Sequence, residues 1–338
     1  MLSAPADPLP QSIPLSRALH LLPGLFLAGG VAGLGFLLHL LPGLALFSPM
    51  ILAMVLGLVL GNLRPVSARC RPGLAFAMRH LLRAGIVLLG LQLTLGQVVG
   101  VGLGGFTVIA ASLAATFAFT LGLGRLLGVG RDLTTLIAAG TSICGASAIA
   151  AVNDAVRAPD EDVAYAMACV TLFGSLAVFL YPLAAGLLDL GPRAFGLWAG
   201  ASIHEIAQVV AAAYQRGAEA GDFATIAKLA RVMLLAPVVL LLGLGRRGRA
   251  GRAGLPVPLF VLGFLGLVVV NSVVPVGAGI RQGAGEATAV LLAIALAAMG
   301  LEARIGRLRA RGLRPLLLGA AAFLFIAGFS LLLVGHDA

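Results

Sequence analysis

"AGTSICGASAIAAV" (Ala139 to Val152) and "AGASIHEIAQVVAA" (Ala199 to Ala212) both open on Ala-Gly-x-Ser-Ile, sixty residues apart. Each phrase sits in the middle of an apolar segment. In residues 132–154 about ten apolar residues precede Gly140-Thr141-Ser142 and about ten follow. Ten helical residues rise ~15 Å, half of a bilayer core. Gly140, Gly145 and Gly200 permit a break, and broken backbone at membrane depth persists only where it is buried in protein or lines a watery cavity. Two geometries meet that condition for 132–154 and 192–214: a discontinuous helix that crosses, or a hairpin that dips in and returns. If both segments cross, the two units lie parallel. If both return, the helix between them inverts the second unit. Loop charge does not decide, because the choice only exchanges Arg157 and Arg193 between sides. The prevalence of inverted repeats among transporters favours the second geometry.

Composition explains why the segments are in a membrane at all. Of 338 residues, 60% are hydrophobic and 11% charged, with a mean hydropathy of +1.07; soluble domains carry about 25% charged residues. Apolar runs at 21–41, 84–124, 163–188, 223–245, 257–280, 287–301 and 315–335 are of membrane-spanning length or close to it. The run 84–124 is divided by Gly100, Gly102, Gly104 and Gly105 and reads as two helices. The runs are Leu- and Ala-rich and do not alternate, which excludes strands. The expected fold is all-α and polytopic, with about 9–11 transmembrane helices, two of them broken or re-entrant, in one domain over 17–338. The first run is too long for a signal-peptide core and flows into further spans. Residues 1–16, polar and proline-rich, read as a disordered cytoplasmic tail.

The net charge of +10 is distributed by connection. Arg64, Arg69, Arg71, Arg79 and Arg83 cluster in one, Arg125 and Arg131 in a second, Arg246, Arg247, Arg249 and Arg252 in a third, and Arg304, Arg307, Arg309, Arg311 and Arg314 in a fourth. Connections 42–48, 96–105 and 276–285 carry only Arg281. This alternation is a topology signal, with the N-terminus cytoplasmic and the C-terminus outside. It argues for contact with membrane lipids and against nucleic acid. Cys70, Cys144 and Cys169 are far apart, without metal-ligand spacing, so neither a metal nor another cofactor is expected.

Two further similarities share another offset. "SPMILAMVLGLVLGN" (Ser48 to Asn62) resembles "VPLFVLGFLGLVVVN" (Val257 to Asn271), and "IVLLGLQLTL" (Ile86 to Leu95) resembles "ALAAMGLEAR" (Ala295 to Arg304). Thus 48–95 matches 257–304 at offsets of 209 and 210, with the second copy upside down by span count. The opening phrases extend into "YAMACVTLFGSLAVFL" and "IAKLARVMLLAPVVLL", so 139–181 matches 199–242 at 60–61. A simple tandem duplication does not yield both offsets; a rearranged repeat or partial convergence does.

The chemistry concentrates in the two phrases. Ser142 and Ser202 suit the N-caps of the helices that follow. Two such N-termini facing each other would favour an anion, with Thr141, Ser142, Cys144, Gly145, Ser147 and Ser202 around it. Small residues of this kind also simply let helices pack closely. His204 and Glu205 are ionisable groups inside a span, which are functional by default. "HEIAQ" has Gln208 where a zinc protease needs its second His. Arg231 lies too deep to snorkel and either binds substrate or pairs with Glu205; Lys228, three residues before it, either joins it or snorkels. Adjacent helical residues point ~100° apart, so His204 is assigned to the anion and Glu205 to a coupling ion. Gln208, Asn153, Asp154 and Lys228 are lesser coupling-ion candidates.

"GTSICGASAIAAV", "DVAYAMACVTLFGSLAVFLYP", "FGLWAGASIHEIAQVVAA" and "ATIAKLARVMLLAP", with "LLRAGIVLLGLQLTL" and "GLRPLLLGAAAFLF" towards the ends, resemble the YeiH family of bacterial membrane proteins over roughly residues 20–335. That family carries a sulfate-exporter label. The resemblance implies an inner-membrane transporter related to the cation/proton antiporter and bile-acid transporter group, with a core of broken helices. Thr141, Ser142, Cys144, Ser147, His204, Glu205, Lys228 and Arg231 stand at its motif positions; the paired Asp of sodium/proton antiporters is missing. The expected activity is secondary transport of a small anion (sulfate, another sulfur oxyanion or organosulfonate, or a small carboxylate) coupled to H+ or Na+. The alternatives are an anion channel or uniporter, or an intramembrane enzyme using Cys144 or Ser147 with His204. A homodimer is left open.

Overall fold

The computed structural model describes residues 15–41, 43–44, 47–244, 259–303 and 312–337. The proposed disordered tail lies outside them except for Leu15 and Ser16, which begin the first helix, and the third arginine cluster and most of the fourth also lie outside. Among the described residues there is no strand. In chain order the helices are α1 (Leu15–His39), α2 (Pro49–Leu63), α3 (Arg71–Phe76), α4 (Leu82–Leu89), α5 (Leu95–Val99), α6 (Gly102–Leu126), α7 (Arg131–Ser142), α8 (Ala146–Val156), α9 (Asp160–Leu187), α10 (Pro192–Ser202), α11 (Ile206–Ala213), α12 (Ala218–Met233), α13 (Leu235–Leu244), α14 (Leu259–Val273), α15 (Ala278–Glu302) and α16 (Leu313–Asp337). A π-helical turn, Ala77–Leu81, joins α3 to α4, so these form one span. Six segments are long and apolar enough to cross a bilayer, and α2 and α14 are shorter apolar helices.

Neighbour contacts fix the direction of each path. Gly105, near the start of α6, faces Leu197 of α10, and Gly124 near its end packs on Thr134 at the start of α7. Gly128, before α7, faces Arg314 at the start of α16. Gly319 of α16 touches Cys169 of α9, and Phe323 stacks with Phe173 one turn on. Hence α7, α9 and α16 all start at one face. Because α8 ends three residues before α9 begins, α8 ends at that face too. Segment α7–α8 therefore enters the bundle and returns.

The second broken segment does the same from the opposite face. Gly196 and Gly200 of α10 pack on Ala220 and Ala224 of α12, so α10 and α12 start together. Arg193 of α10 meets Glu219 of α12 at 2.9 Å, and Tyr214 after α11 bonds Asp222 at 2.6 Å. Both ends of α10–α11 thus lie at the face where α9 ends. Between them, α9 crosses the whole bundle, and the two hairpin tips meet beside its middle, with Gly140 against Val170 and Gly174 against Gln208. The re-entrant, inverted geometry is the one the molecule adopts.

The remaining paths complete the inversion. Helix α2 runs opposite to α14, and α3–α4 opposite to α15. Gly300 of α15 lies against the Met54 carbonyl of α2, and Gly90, after α4, against the Phe264 carbonyl of α14; the two glycines are 210 residues apart, and so are the two carbonyls they meet. Asn62 donates to Ala303 O at 2.8 Å, and Asn271 to Leu93 O at 2.9 Å. A third pair joins them: Gly102 and Gly312, at φ +64 and +82, each begin or precede a 25-residue helix, α6 and α16. A left-handed φ is open to glycine at little cost, so both turns use it. In the first half the order is α2, α3–α4, α6, hairpin, α9; in the second it is hairpin, α12–α13, α14, α15, α16. The second half reads as a circular permutation of the first, which accounts for two offsets in one chain.

Among the described residues, Arg64, Arg69, Arg71, Arg125, Arg131 and Arg314 lie at the face where α7, α9 and α16 start, while 96–101 and 274–277 lie at the other. Residues 15 and 337 lie at opposite faces. Outward side chains such as Phe26, Leu324 and Leu332 are apolar and exposed, which suits lipid as the surrounding solvent.

Candidate functional site

Four helix ends converge at the two hairpin tips. An α-helix leaves unpaired N–H groups at its N-terminus and unpaired carbonyls at its C-terminus, equivalent to about +0.5 and −0.5 charge. Here α8 and α11 present N-termini, and α7 and α10 present C-termini. Each kind is matched by buried charge of opposite sign.

Glu205 answers the N-termini. It is the N-cap of α11, where its carboxylate accepts from the Gln208 N–H and the Gln208 side chain returns to the Glu205 N–H at 3.1 Å. The same carboxylate reaches the other hairpin, accepting from Ala146 N, first residue of α8, at 2.5 Å. Gly145 makes the approach possible. A Cβ there would lie 1.9 Å from Glu205 Oε1, and its φ of +68 disfavours any side chain. Gln208 packs over Gly174 of α9 and donates to Met299 Sδ of α15 at 3.6 Å.

Lys228 and Arg231 answer the C-termini. Lys228 Nζ donates to Ile143 O at 2.9 Å, Ile203 O at 2.7 Å and His204 O at 2.6 Å. Arg231 donates from Nε to Ser142 O at 2.6 Å, from Nη1 to Ile203 O at 3.1 Å, and from Nη2 to Thr141 O. Both side chains are fully buried. Burying a charge is expensive unless hydrogen bonds replace its water, and each cation here has three carbonyl partners. Lys228 therefore does not snorkel. Arg231 neither pairs with Glu205 nor holds its guanidinium free: it fastens the ends of α7 and α10.

The serines differ from their sequence reading. Ser142 and Ser202 close the first half-helices, and the N-cap positions of the second fall to Gly145 and Glu205. The reason is local: two or three further residues are needed to turn the chain. Ser202 donates to Trp198 O within its own helix, whereas Ser142 Oγ is buried without a hydrogen-bond partner among the described residues. Thr141 supplies its carbonyl, and Cys144 is a free, buried thiol at the tip. Ser147 in the first turn of α8 is exposed, so this turn is the open side of the crossing. Asn153 lies elsewhere, at the far end of α8, where its Oδ1 accepts from Ala158 N at 2.9 Å; the Asp154 side chain lies outside the described residues.

His204 points away from Glu205. It is fully buried with its ring 5.9 Å from that of Phe323 on α16, and neither ring nitrogen has a hydrogen-bond partner among the described residues. It therefore forms no base–nucleophile pair with Cys144 or Ser147. Sequence reasoning passed over Tyr181. Its ring stacks on Trp198 at 4.1 Å and lies 6.4 Å from Phe323, and its hydroxyl is buried beside the Ser202 hydroxyl without a hydrogen bond of normal geometry to it. The signal available was a phenol in the last third of an apolar span, where a polar tip needs a reason. No group of three or more His, Cys, Asp or Glu side chains with metal-site geometry occurs among the described residues.

Comparison with known proteins agrees with this picture of a multi-pass membrane protein. The family described as "Conserved hypothetical protein 698" matches residues 23–319. A UPF0324 membrane protein of Pseudomonas aeruginosa is 41% identical over 331 residues, covering 93% of each chain. The UPF0324 inner membrane protein YeiH of Escherichia coli K12 is 35% identical over 319 residues, covering 91% of each. The UPF0324 membrane protein TauZ of Paracoccus pantotrophus is 37% identical over 289 residues, 83% of this chain and 86% of that one. The chain that folds these two hairpins around Glu205, Lys228 and Arg231 belongs to the UPF0324 family of membrane proteins.

Proposed function

We propose that the protein is a secondary active transporter of a small anion, coupled to protons through Glu205, and that it is not an enzyme. One observation carries the reading. With all three side chains ionised, two N-termini and Glu205 roughly cancel, while two C-termini offset only about one of the two positive charges on Lys228 and Arg231. About one positive charge is left over at the middle of the bundle. A buried excess of that size is best offset by an anion. The inverted halves support alternating access, since each face has its own hairpin leading to the same centre. The arginine-rich face is taken as cytoplasmic, which puts residue 15 inside and residue 337 outside.

Glu205 supplies the coupling. Its carboxylate bridges the two hairpins, and a proton on it would weaken both the bridging bond from Ala146 N and the cap bond from the Gln208 N–H. Export of an anion runs with an inside-negative potential, about 2.3 kcal/mol per charge per 100 mV, so only accumulation needs the proton. The test uses proteoliposomes and a panel of radiolabelled sulfate, sulfite, ethanesulfonate, taurine and propionate. Wild-type protein is expected to exchange at least one of them and to accumulate it under an imposed pH gradient. Glu205→Gln keeps exchange and loses accumulation. Accumulation by the variant equal to the parent's would remove Glu205 from coupling and leave a uniporter.

A further inference from the structure

We infer that the anion is held on the α9–α16 side of the crossing, by His204, Tyr181 and Ser142, and that it is a singly charged oxyanion carrying an apolar group. The inference rests on the transport reading above. The helix N-termini are the obvious anion seat, but there Glu205 already provides the negative charge. On the other side of the same break three polar side chains are buried without a hydrogen bond of normal geometry among the described residues: Ser142 Oγ, Tyr181 OH and both nitrogens of His204. His204 and Ser142 are fully buried and Tyr181 is 2% exposed. Buried polar atoms are nearly always paired, so three such groups together point to a polar guest.

These groups belong to one place. The His204 and Tyr181 rings lie 5.9 and 6.4 Å from the same Phe323 ring. Arg231 ties Ser142 to the residue before His204, since it donates to both Ser142 O and Ile203 O. A neutral imidazole has one N–H, and each hydroxyl has one O–H. Three neutral donors match the three oxygens of a sulfonate or the two of a carboxylate, and the Arg231 charge stands directly behind them. The Glu205 carboxylate is already engaged, by Ala146 N and the Gln208 N–H. The walls are aromatic: Phe173 lies 5.7 Å from Phe323, and Tyr181 stacks on Trp198. Such walls suit a hydrocarbon substituent and contribute nothing to a bare dianion. One excess positive charge likewise matches a monoanion, whereas sulfate would leave a negative charge buried.

The experiment uses the protein's own reporter. Trp198 is the single tryptophan of the chain, and it is stacked on Tyr181. Purified wild-type protein in detergent is titrated with ethanesulfonate, propionate, sulfate and chloride while Trp198 emission is followed. Ethanesulfonate or propionate is expected to give a saturable change at a concentration at least tenfold below sulfate, with chloride inert. Tyr181→Phe and Ser142→Ala raise that half-saturation at least tenfold at an unchanged melting temperature, while Ser330→Ala, a buried hydroxyl elsewhere on α16, leaves it within twofold. If Tyr181→Phe fails to fold, Ser142→Ala decides. Half-saturation unmoved in the folded variants overturns the location, and sulfate binding as tightly as ethanesulfonate overturns the substrate class. Vesicle uptake separates the levels: uptake by wild type with no Trp198 response refutes this site alone, and no saturable uptake of any panel member refutes the transport reading.

Discussion

The two hairpins are the same device built twice, yet only one unit carries the charge. Counting sixty residues on, Gly145 at the tip of the first corresponds to Glu205 at the tip of the second. At an offset of 61, Met167 and Val170 of α9 correspond to Lys228 and Arg231 of α12. The second unit thus holds the carboxylate and both cations, and the first holds a glycine, a thioether and an isopropyl group. The charges reach across: Lys228 and Arg231 bind the α7 carbonyls, and Glu205 binds the α8 N-terminus. What this teaches is that inversion symmetry supplies the scaffold and its breaking supplies the site. Two carboxylates face to face would repel, and four cations would have too few carbonyls, so a single charged unit serves both tips.

The sharpest way to break the comparison is to strip the charged side. Lys228→Met or Arg231→Met leaves two buried carbonyls without their charged donor and takes one of the two donors from a third, Ile203 O. Breaking buried ionic groups of this kind costs about 3–5 kcal/mol. Both variants are expected to lose the folded, monodisperse state in detergent, read by thermal melting and size exclusion. On the uncharged side, Met167→Leu is a volume-conserving change and costs under about 1.5 kcal/mol. Equal losses on both sides would show that the cations are replaceable packing.

A smaller effect sharpens the role of the tip glycine. Gly145→Ala places a Cβ 1.9 Å from Glu205 Oε1, at a φ of +68. The alanine must displace the carboxylate from Ala146 N, and the backbone adds a further strain of about 1–3 kcal/mol. The variant is expected to fold less stably and to lose pH-gradient-driven accumulation. In a Glu205→Ala background the steric part disappears, so Gly145→Ala should then cost only the backbone strain. A cost that is the same in both backgrounds would show that the two residues do not interact.

How much of this was legible follows from the range of each interaction. That each segment is broken is a local feature and the sequence shows it, but the breaks fall at 143–145 and 203–205, while Gly140 and Gly200 lie inside α7 and α10 and serve close packing. The repeated Asn62–Asn271 and Gly90–Gly300 pairs are local patterns too, and the structure joins their members to equivalent carbonyls. Re-entry was undecided because the only charges that report it are Arg157 and Arg193. Glu205 as a shared cap was out of reach: Glu is not among the favoured N-caps, and its second partner is 59 residues away. The targets of Lys228 and Arg231 are 24–90 residues away and are backbone atoms, which every residue has. Asn153 misled for the opposite reason, since a polar side chain near a helix end is usually engaged with a local turn, and this one is.

The finest comparison lies where each hairpin leaves the bundle. One residue past α8 stands Arg157, at φ +55 and ψ +48; sixty residues on stands Gly217, at φ +103 and ψ +168. Both positions turn the chain from a returning half-helix into the next long helix, and both need positive φ. They are not equivalent energetically. Arg157 occupies the left-handed α region, which costs a side chain about 1–2 kcal/mol. Gly217 occupies a region that is essentially glycine-only. Arg157→Gly therefore removes strain but gives the unfolded chain more freedom, by about 0.5–1 kcal/mol. The expected result is a change within about 1 kcal/mol, stabilising if strain exceeds entropy. Gly217→Ala destabilises by about 1–3 kcal/mol. Thermal melting of the two variants measures the difference directly. If Arg157→Gly costs as much as Gly217→Ala, the arginine side chain itself anchors the first hairpin at the basic face, and the two exits differ in chemistry as well as in backbone.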